Sequence, residues 1–265
     1  MNKAELKFVR EFLYKLSKES RKITLKGFQN NSKKVKFKSD SSPVTNSDFD
    51  AEKKIRNLII KNFPNHNIYG EEIEKVDNSS NFTWLLDPID GTKSFLIGRP
   101  LWGTMIALIE QEKPIIGLVD FPCLDQVWLG DAFSSYLNKK KINFKMNCNS
   151  ELSEAFIAST CPSMFNKKNL KKFNKIISIS KNNYWSGDCH NYILLASGGL
   201  DAVIEENLNP YDILPLIPIL TAQNILVTDW KGEKLKFNFH ENQKYQVLAS
   251  KNTNLHNQII QLINS

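Results

Sequence analysis

The sequence predicts an α+β or α/β protein in which layers of helix and layers of sheet alternate. Apolar residues recur at helical spacing between residues 6 and 16. Between residues 102 and 137, short apolar segments separated by turn residues are typical of consecutive strands. Helical and strand-like segments alternate again after residue 155. We therefore expect two halves, 1–145 and 146–265, that form one compact unit.

Two helices are expected ahead of the first strand. The apolar positions between 6 and 16 form one face of the first helix. The polar, lysine-rich stretch 33–40 is expected to be a loop or a mobile hairpin. Ser47 is a suitable N-cap for the second helix, whose apolar face ends at Phe63 because Pro64 cannot continue it.

A short strand and an antiparallel meander follow the second helix. The short strand, 67–69, leads into Gly70, Glu71 and Glu72, and so ends in a carboxylate pair. The meander strands are expected at 102–110, 114–121, 126–129 and 135–137. The polar and basic stretch 138–150 is the expected boundary between the two halves.

The second half is expected to alternate strands and helices. Its elements are predicted at 155–159 (strand), 167–177 (helix), 189–197 (helix) and 202–204 (strand). Gly198 and Gly199 close the second of these helices, since glycine is favoured just beyond a helix C-terminus. The last strand ends in Glu205 and Glu206.

The composition indicates a globular protein and argues against a dedicated nucleic-acid surface. Of the 265 residues, 41% are hydrophobic and 24% are charged, which is ordinary for a globular domain. The formal net charge is +7, but nearly all basic residues are lysines, whereas base readout and bidentate phosphate clamps favour arginine. A mildly positive field suits a small anionic substrate about equally well.

The cysteines, the N-terminus and the hydropathy predict a reduced, cytoplasmic protein without a membrane partner. The four cysteines include no C-x-x-C pair, so neither a zinc ribbon nor a disulfide scaffold is expected. The first 11 residues are charged throughout and lack the apolar core of a signal peptide. No apolar run approaches the roughly 20 residues that a membrane span needs.

The segment 84–92 carries the main chemical signal of the chain. Its apolar start reads as the end of a buried strand, and Pro88 is expected to stop further ladder pairing. Asp87 and Asp90 then lie in a tight turn, close enough to bind one hard cation. Carboxylates crowded this closely repel each other, so a divalent metal ion or a shared proton is the usual resolution. The same Asp-Pro-x-Asp-Gly pattern is also a common turn.

Two more carboxylates, Glu71 and Asp212, also stand at the ends of apolar segments. Oxygen ligands without histidine or cysteine partners favour Mg²⁺, and such sites usually borrow further oxygens from a phosphate. If a helix begins at Gly91 and Thr92, their backbone N–H groups can cradle an anion. Pro215 fits the first turn of a helix that starts near Asp212.

Three motifs together carry a family resemblance. Residues 70–72 (Gly-Glu-Glu), 87–92 (Asp-Pro-Ile-Asp-Gly-Thr) and 210–212 (Pro-Tyr-Asp), in this order, resemble the inositol monophosphatase superfamily of Mg²⁺-dependent, lithium-sensitive phosphatases. The resemblance covers essentially the whole chain. It implies a layered αβαβα sandwich, two or three Mg²⁺ ions per site, lithium inhibition, a small phosphate monoester as substrate, and a possible homodimer.

The resemblance also implies roles for individual residues. It assigns metal binding to the side chains of Glu71, Asp87, Asp90 and Asp212 and to the carbonyl of Ile89. Asp48 resembles the position that hydrogen-bonds the threonine of the aspartate motif, here Thr92. Glu71 and Thr92 would then orient and deprotonate the attacking water, while Gly91, Thr92, Asp188 and Glu205 would bind the substrate. By this reading the N-terminal half carries most metal ligands, and the C-terminal half carries Asp212 and the substrate-recognition residues.

Several segments are similar to the histidinol-phosphatase branch of that superfamily. They are 90–95, 98–100, 186–189 (Ser-Gly-Asp-Cys for Gly-Gly-Asp-Cys), 210–212 and 228–232. The implied substrate is L-histidinol phosphate, whose ammonium and imidazole groups Glu205 and Asp188 could bind. The alternatives without substrate contact are that Asp188 caps the helix at Cys189, and that Glu205 is a solvated charge at a strand end.

The chain departs from the branch in three places, one of which is His190-Asn191 in place of a more usual aromatic-small pair. Ser186 stands where the branch has its first glycine, and 221–225 replaces an acidic, glycine-rich turn. Three alternatives to the histidinol phosphatase therefore stay open. They are an inositol-1-phosphatase, a 3′-phosphoadenosine nucleotide phosphatase, and a non-catalytic RNA-binding regulator on the same fold.

Overall fold

Two large β-sheets, a two-stranded ladder and the covering helices build the described part of the molecule. The computed structural model describes residues 1–30, 35–37, 43–131, 133–144 and 151–265. The α-helices there are α1 (Lys3–Gln29), α2 (Asn46–Asn62), α3 (Thr92–Leu96), α4 (Lys167–Ile179), α5 (Cys189–Ala196), α6 (Pro210–Ile213), α7 (Ile217–Thr221) and α8 (Thr253–Asn264). The strands are β1 (Val35–Phe37), β2 (Pro43–Thr45), β3 (Asn67–Gly70), β4 (Phe82–Asp90), β5 (Gly103–Glu110), β6 (Lys113–Phe121), β7 (Gln126–Asp131), β8 (Ser134–Leu137), β9 (Lys140–Ile142), β10 (Phe156–Ser159), β11 (Asn182–Trp185), β12 (Ala202–Leu208), β13 (Leu226–Thr228) and β14 (Tyr245–Ser250).

The larger sheet follows chain order and the smaller one does not. Seven strands pair in the order β3-β4-β5-β6-β7-β8-β9, all antiparallel except the parallel pair β3–β4. Five strands pair in the order β11-β10-β12-β14-β13, with β10 parallel to both of its neighbours and the other pairs antiparallel. A separate two-stranded ladder joins β1 to β2.

Helix and sheet layers alternate through three apolar cores. One core packs α1 and α2 on the seven-stranded sheet, with Leu13, Ile55 and Trp84 fully buried. The middle core joins the other face of that sheet to α5, α7 and the five-stranded sheet. The third core packs α4 and α8 on the far face of the five-stranded sheet. The predicted αβαβα sandwich is thereby confirmed.

The first two helices are confirmed, with altered starts. A capping box between Asn2 and Glu5 begins α1, which runs much further than the apolar spacing alone required. The N-cap of α2 is Thr45 rather than Ser47, because Thr45 and Asp48 form a second capping box. Of the predicted loop or hairpin at 33–40, the structure describes only β1, and the rest lies outside the described residues.

The prediction for Pro88 is wrong. The strand β4 continues to Asp90, and the ladder with β5 shifts register between Asp87 and Asp90. A register irregularity accommodates proline because the missing amide falls where regular pairing is interrupted. The hydroxyl of Thr104 donates to the Pro88 carbonyl at 2.7 Å and satisfies this part of the backbone.

The prediction for Pro215 is also wrong. The helix α6 begins at Pro210, which is the proline of its first turn, and ends at Ile213. Asp212 is the third residue of that helix and accepts a hydrogen bond from its N-cap, Asn209. Pro215 therefore lies beyond α6, and its carbonyl approaches the sheet at Gly117.

The region around residue 145 contains one further strand. The predicted boundary, 138–150, includes β9, which extends the seven-stranded sheet, whereas 145–150 lies outside the described residues. A division of the chain into halves near residue 145 stays a proposal. No disulfide joins the described cysteines Cys123, Cys161 and Cys189, and Cys148 lies outside that part of the chain. None of the helices in the described ranges is long and apolar enough to cross a membrane.

Candidate active site

A cavity of about 180 Å³ is lined by residues from both sheets and from the helices between them. Its walls bring together the end of β4, the start of α3, the start of α5, the end of β12 and α6. The lining residues are Glu71, Asp87, Ile89, Asp90, Gly91, Thr92, Thr160, Met164, Asp188, Cys189, Tyr192, Glu205, Leu208, Asn209 and Asp212. All sequence-predicted site residues except Asp48 are among them.

An acidic cluster forms one end of the cavity. Carboxylate oxygens of Asp87, Asp90 and Asp212 lie within 4.8 Å of one another. Burial and the charge of the neighbouring Glu71 raise the pKa of Asp87 well above its usual value, and raise that of Asp212 to about 7. Burial and the charge of Asp188 raise the pKa of Asp90. The three cluster carboxylates and the neighbouring Glu71 and Asp188 thus repel one another across a small space.

Backbone donors hold these carboxylates in place. The Ile89 N–H donates to Asp87 Oδ1 at 3.0 Å, and the Cys189 N–H donates to Asp90 Oδ2 at 2.7 Å. The Asn209 N–H donates to Asp212 Oδ2 at 2.7 Å. These hydrogen bonds orient the side chains from the protein side and leave their other oxygens to face the cavity.

The donor set fits a hard divalent cation. Every cluster ligand is an oxygen, and no lysine, arginine or histidine lies among the described residues that line the cavity. Mg²⁺ prefers such all-oxygen surroundings, and it would relieve the repulsion that raises the pKa values. The Ile89 carbonyl already accepts the Thr92 hydroxyl at 3.0 Å, and its second lone pair is enough for a metal.

Asp48 and Thr92 have separate partners in this structure. Asp48 Oδ2 accepts the Thr45 N–H at 2.9 Å and the Thr45 hydroxyl at 2.5 Å. Burial raises the pKa of Asp48 to about 6, against the lowering effect of the Thr45 hydrogen bonds. Its buried Oδ1 has no hydrogen-bond partner among the described residues. The Asp48–Thr92 hydrogen bond that the family pattern implies therefore stays a prediction.

Position 91 requires a residue without a side chain. It is the N-cap of α3 in the left-handed region, at φ +81°, and a Cβ there would lie 3.0 Å from Asp188 Oδ2. The predicted helix start at Gly91 and Thr92 is confirmed. The close approach also places the Asp188 carboxylate directly beside the acidic cluster.

The turn before α5 is strained. Ser186 has φ +76°, Gly187 has φ +127°, and Asp188 has φ +49° with ψ −135°. Non-glycine residues in such regions cost of the order of 1–3 kcal/mol each and cluster at functional sites. The positive φ at Ser186 explains why a glycine suits this position. Arg99 donates to the Ser186 hydroxyl and ties the turn to the segment after α3.

Asp188 faces the cavity rather than capping its helix. It is the N-cap residue of α5, but its side chain makes no capping hydrogen bond. Burial raises the pKa of its carboxyl group, and the Ser94 hydrogen bond together with Lys93 and Arg99 opposes that shift. The capping alternative for its side chain is therefore wrong.

Glu205 also lines the cavity and is buried, with 2% of its surface exposed. It accepts the Thr160 N–H at 2.9 Å, the Thr160 hydroxyl at 2.6 Å and the Tyr192 hydroxyl at 2.9 Å. Burial raises its pKa to about 7. The solvated strand-end alternative is therefore wrong. Its neighbour Glu206 lies outside the cavity lining and accepts hydrogen bonds from Asn166.

Sequence reasoning missed several lining residues. Thr160 and Tyr192 hold Glu205, Met164 and Leu208 supply apolar wall, and Asn209 orients Asp212. The signal for Thr160 was available, since it directly follows a predicted strand, as Glu71 does. Tyr192 lies on a largely apolar helix and offered no such signal.

Comparison with known proteins agrees with this geometry. Residues 5–265 match the model of the inositol monophosphatase family. The chloroplastic bifunctional phosphatase IMPL2 of Arabidopsis thaliana is 37% identical over 230 residues, which cover 84% of this chain and 66% of the relative, so the chain spans slightly less than two thirds of that protein. A histidinol-phosphatase of Chlorobaculum parvum is 29% identical, with 83% of this chain and 85% of the relative covered.

A solved structure extends the agreement to the whole fold. The inositol monophosphatase of Zymomonas mobilis superposes with a TM-score of 0.82 at 29% identity, covering 95% of this chain and 96% of that one. The family match and this superposition both span the elements that build the acidic cavity. The chain belongs to the inositol monophosphatase family, whose members are phosphatases of small phosphate monoesters.

Proposed function

We propose that this phosphatase hydrolyses L-histidinol phosphate to L-histidinol and inorganic phosphate, a step of histidine biosynthesis, with Mg²⁺ bound at the acidic cluster. The observation that carries the proposal is the buried carboxylate of Glu205, which lines the same cavity as the cluster and is not one of its metal-binding carboxylates. A cytoplasmic location, a homodimer, two or three Mg²⁺ ions and inhibition by lithium belong to the same proposal.

Charge complementarity supports this substrate. L-histidinol phosphate carries a phosphate at one end and an ammonium and an imidazole at the other. The cavity adds Glu205 and Asp188 to the metal-binding carboxylates, and no cationic side chain lines it in the described residues. A cationic substrate group would pair with these buried carboxylates, and a polyol phosphate has no such group. The curated relative named a histidinol-phosphatase supports the same choice.

The proposed chemistry divides between the metal and the protein. Bound Mg²⁺ supplies neutralisation of the phosphoryl and leaving-group oxygens and lowers the pKa of a coordinated water. Glu71, Asp87, Asp90 and Asp212 hold it, together with the Ile89 carbonyl. The protein's remaining task is to place the phosphate and the attacking water in line with the bond to the alcohol.

The water and the phosphate have separate binding groups in this proposal. The backbone N–H groups of Gly91 and Thr92 bind phosphate oxygens where α3 begins. The Glu71 carboxylate and the Thr92 hydroxyl orient the water, and Glu71 accepts its proton. Asp48 supports the Thr92 hydroxyl through its Oδ1, which is buried and has no described hydrogen-bond partner. Water attacks phosphorus opposite the alcohol oxygen, and a P–O bond forms as the bond to the alcohol breaks. The departing alkoxide takes a proton from solvent, to which Glu71 returns the one it accepted.

A substrate panel tests the proposal. Purified protein with Mg²⁺ should release phosphate from L-histidinol phosphate with a higher kcat/KM than from inositol 1-phosphate or 3′-phosphoadenosine 5′-phosphate. A preference for either of the other substrates would contradict the substrate assignment. Salt-dependent RNA binding without any phosphatase activity would instead favour the regulator alternative.

A pair of neighbouring variants sharpens the test. Glu205→Gln keeps the side-chain shape but removes its charge, so KM for L-histidinol phosphate should rise roughly 10-fold or more. Hydrolysis of p-nitrophenyl phosphate, which has no cationic group, should change much less. Glu206→Gln is the matched control, because Glu206 lies next in sequence but outside the cavity lining. Equal KM effects of the two variants on L-histidinol phosphate would count against recognition by Glu205.

A further inference from the structure

The segment that carries Glu71 has no regular secondary structure of its own. Residues 71–75 follow β3 and form neither helix nor strand. The Glu71 N–H donates to the Leu86 carbonyl at 3.1 Å, which aligns Glu71 beside Asp87. Beyond Glu71 the chain leaves the sheet until Val76, which pairs with Ile68. The backbone between Glu71 and Val76 must therefore be held by contacts with other elements.

Glu52 of α2 supplies the first of these contacts. Its carboxylate is fully buried and accepts the Glu72 N–H at 2.8 Å and the Ile73 N–H at 3.2 Å. Two consecutive backbone donors of the segment thus end on one side chain. Glu52 does not line the cavity, so these contacts are not part of the acidic cluster.

Arg56, one helical turn later, completes the arrangement. Its Nε donates to Glu52 Oε1 at 2.7 Å, and its side chain is 6% exposed. Its Nη2 donates to the Ile73 carbonyl at 2.6 Å, and its Nη1 donates to the Glu74 carbonyl at 2.9 Å. The ion pair therefore binds backbone N–H and C=O groups of the same three residues, 72–74.

Gly70 shows how closely the carboxylate is pressed against this segment. A Cβ at Gly70 would lie 2.1 Å from Glu52 Oε1, so a side chain directly before Glu71 would displace the Glu52 carboxylate. Because both charges are buried, bind each other and otherwise bind only backbone groups of this segment, the pair is rigid. A rigid anchor one residue beyond Glu71 limits the positions its carboxylate can take.

We propose that the buried Glu52–Arg56 pair is a positioning device that fixes the backbone at 72–74 and thereby holds the Glu71 carboxylate at the acidic cluster. The proposal rests on the proposed role of Glu71 as a metal ligand, and it is independent of the substrate. Partners that orient metal ligands typically contribute 10–100-fold to metal affinity or activity.

The test measures Mg²⁺ binding directly and compares two variants. Glu52→Gln keeps the shape of the side chain but removes the charge that pairs with Arg56. We expect it to bind Mg²⁺ roughly 10-fold more weakly in calorimetric titration, with faster hydrogen exchange of the 72 and 73 amides. For any phosphate monoester that the wild type hydrolyses, kcat should fall at fixed Mg²⁺ while KM changes little.

Asp131→Asn is the matched control. Asp131 is also buried, and it accepts the N–H groups of Phe133 and Ser134 at 2.9 and 3.0 Å and Arg10 Nη2 at 2.6 Å. It lies outside the cavity lining, so this variant should lose stability but keep the Mg²⁺ affinity. If Asp131→Asn weakens Mg²⁺ binding as much as Glu52→Gln does, the effect is general destabilisation and the positioning role is overturned.

Two further results separate the possibilities. Faster exchange at 72 and 73 with unchanged Mg²⁺ affinity in Glu52→Gln would overturn the proposal. If that variant does not fold, Arg56→Lys replaces it, because lysine keeps the charge but cannot bind both carbonyls and Glu52 together; unchanged affinity there overturns the proposal as well. A wild-type protein that binds Mg²⁺ but does not hydrolyse L-histidinol phosphate would contradict only the proposed function.

Discussion

Asp90 has both a structural and an electrostatic role. Its carboxylate belongs to the acidic cluster, and its Oδ2 accepts the Cys189 N–H at 2.7 Å from the start of α5. The same side chain thus binds the proposed metal and joins β4 to the second half of the chain. An amide in its place can still accept that N–H, so the structural and the electrostatic role are separable.

Asp90→Asn should reduce turnover by at least about 100-fold, because a metal ligand loses its charge. Steady-state kinetics with saturating Mg²⁺ would measure this. Asp77→Asn, at an exposed carboxylate outside the cavity, should leave turnover unchanged. Near-normal activity of Asp90→Asn would contradict the site assignment.

The acidic residues of the site were more predictable from the sequence than the residues that hydrogen-bond to them. Glu71, Asp87, Asp90 and Asp212 stand at the ends of apolar segments, and the family resemblance of the three motifs that carry them indicated a single site. Tyr192 was not predictable in this way, because its contact with Glu205 depends on how α5 packs against β12. Long-range packing of that kind leaves no local pattern.

At the scale of elements, the chain around α7 packs directly against two glycines of the larger sheet. A Cβ at Gly117 would lie 1.9 Å from the Pro215 carbonyl oxygen. A Cβ at Gly130 would lie 2.3 Å from the Ile219 Cα. The helix backbone therefore rests directly on strands β6 and β7. This close packing brings α6, and with it Asp212, to the sheet that carries Asp87.

Gly130→Ala should lower the free energy of unfolding by about 1–3 kcal/mol or more, because the added methyl group overlaps helix backbone that cannot move alone. Urea denaturation would measure the loss. Gly199→Ala is the control, since a Cβ there meets nothing closer than 3.5 Å, and it should be near neutral. Similar losses in both variants would show that the close approach at Gly130 is unimportant.

Elements with strong periodicity or turn signals were predicted well. The helices α1 and α2 and the strands β5 to β8 belong to this group. The strand β11 was missed because Asn-Asn-Tyr-Trp is a polar edge strand, exposed along most of its length. The helix α8 was missed because only Leu255, Ile259 and Ile263 among its residues are both apolar and buried.

The unusual segment 221–225 also has a structural explanation that its residue types did not reveal. Gln223 is buried, and its Oε1 accepts the Phe144 N–H at 3.0 Å. Its Nε2 donates to the Ile142 carbonyl at 3.3 Å. The segment thus fastens the end of α7 to the last strand of the larger sheet.

At the scale of the whole molecule, folding brings several carboxyl groups together in a buried site. In the metal-free protein this raises their pKa values. Burial raises the pKa of Asp212 and Glu205 to about 7, and that of Asp87 well above its usual value. A carboxyl group whose pKa rises on folding holds its proton longer in the folded state, so stability falls as pH rises through the folded pKa. Burial instead lowers the pKa of His256 to about 4, and stability from this group rises with pH below about 6.5.

The metal-free protein should therefore lose stability between pH 6.5 and 8. In this range histidine ionisation no longer changes the free energy of unfolding. The expected loss is about 1–2 kcal/mol for the two groups with a pKa near 7. Saturating Mg²⁺ should raise Tm and flatten this pH dependence, because it favours the ionised cluster. Thermal unfolding in EDTA and in Mg²⁺ at both pH values would measure it. Equal slopes in the two buffers would contradict a metal-binding cluster.

The wide spacing of the cluster along the chain has a consequence for synthesis. Asp212 follows Asp90 by 122 positions. At about 5–20 residues per second, a ribosome needs roughly 6–24 s to add that stretch. During this interval the nascent chain displays Asp87 and Asp90 without their third partner. On the proposed assignment, the metal site is complete only after Asp212 has been synthesised, so a shorter nascent chain should bind the ion more weakly and should not hydrolyse phosphate esters.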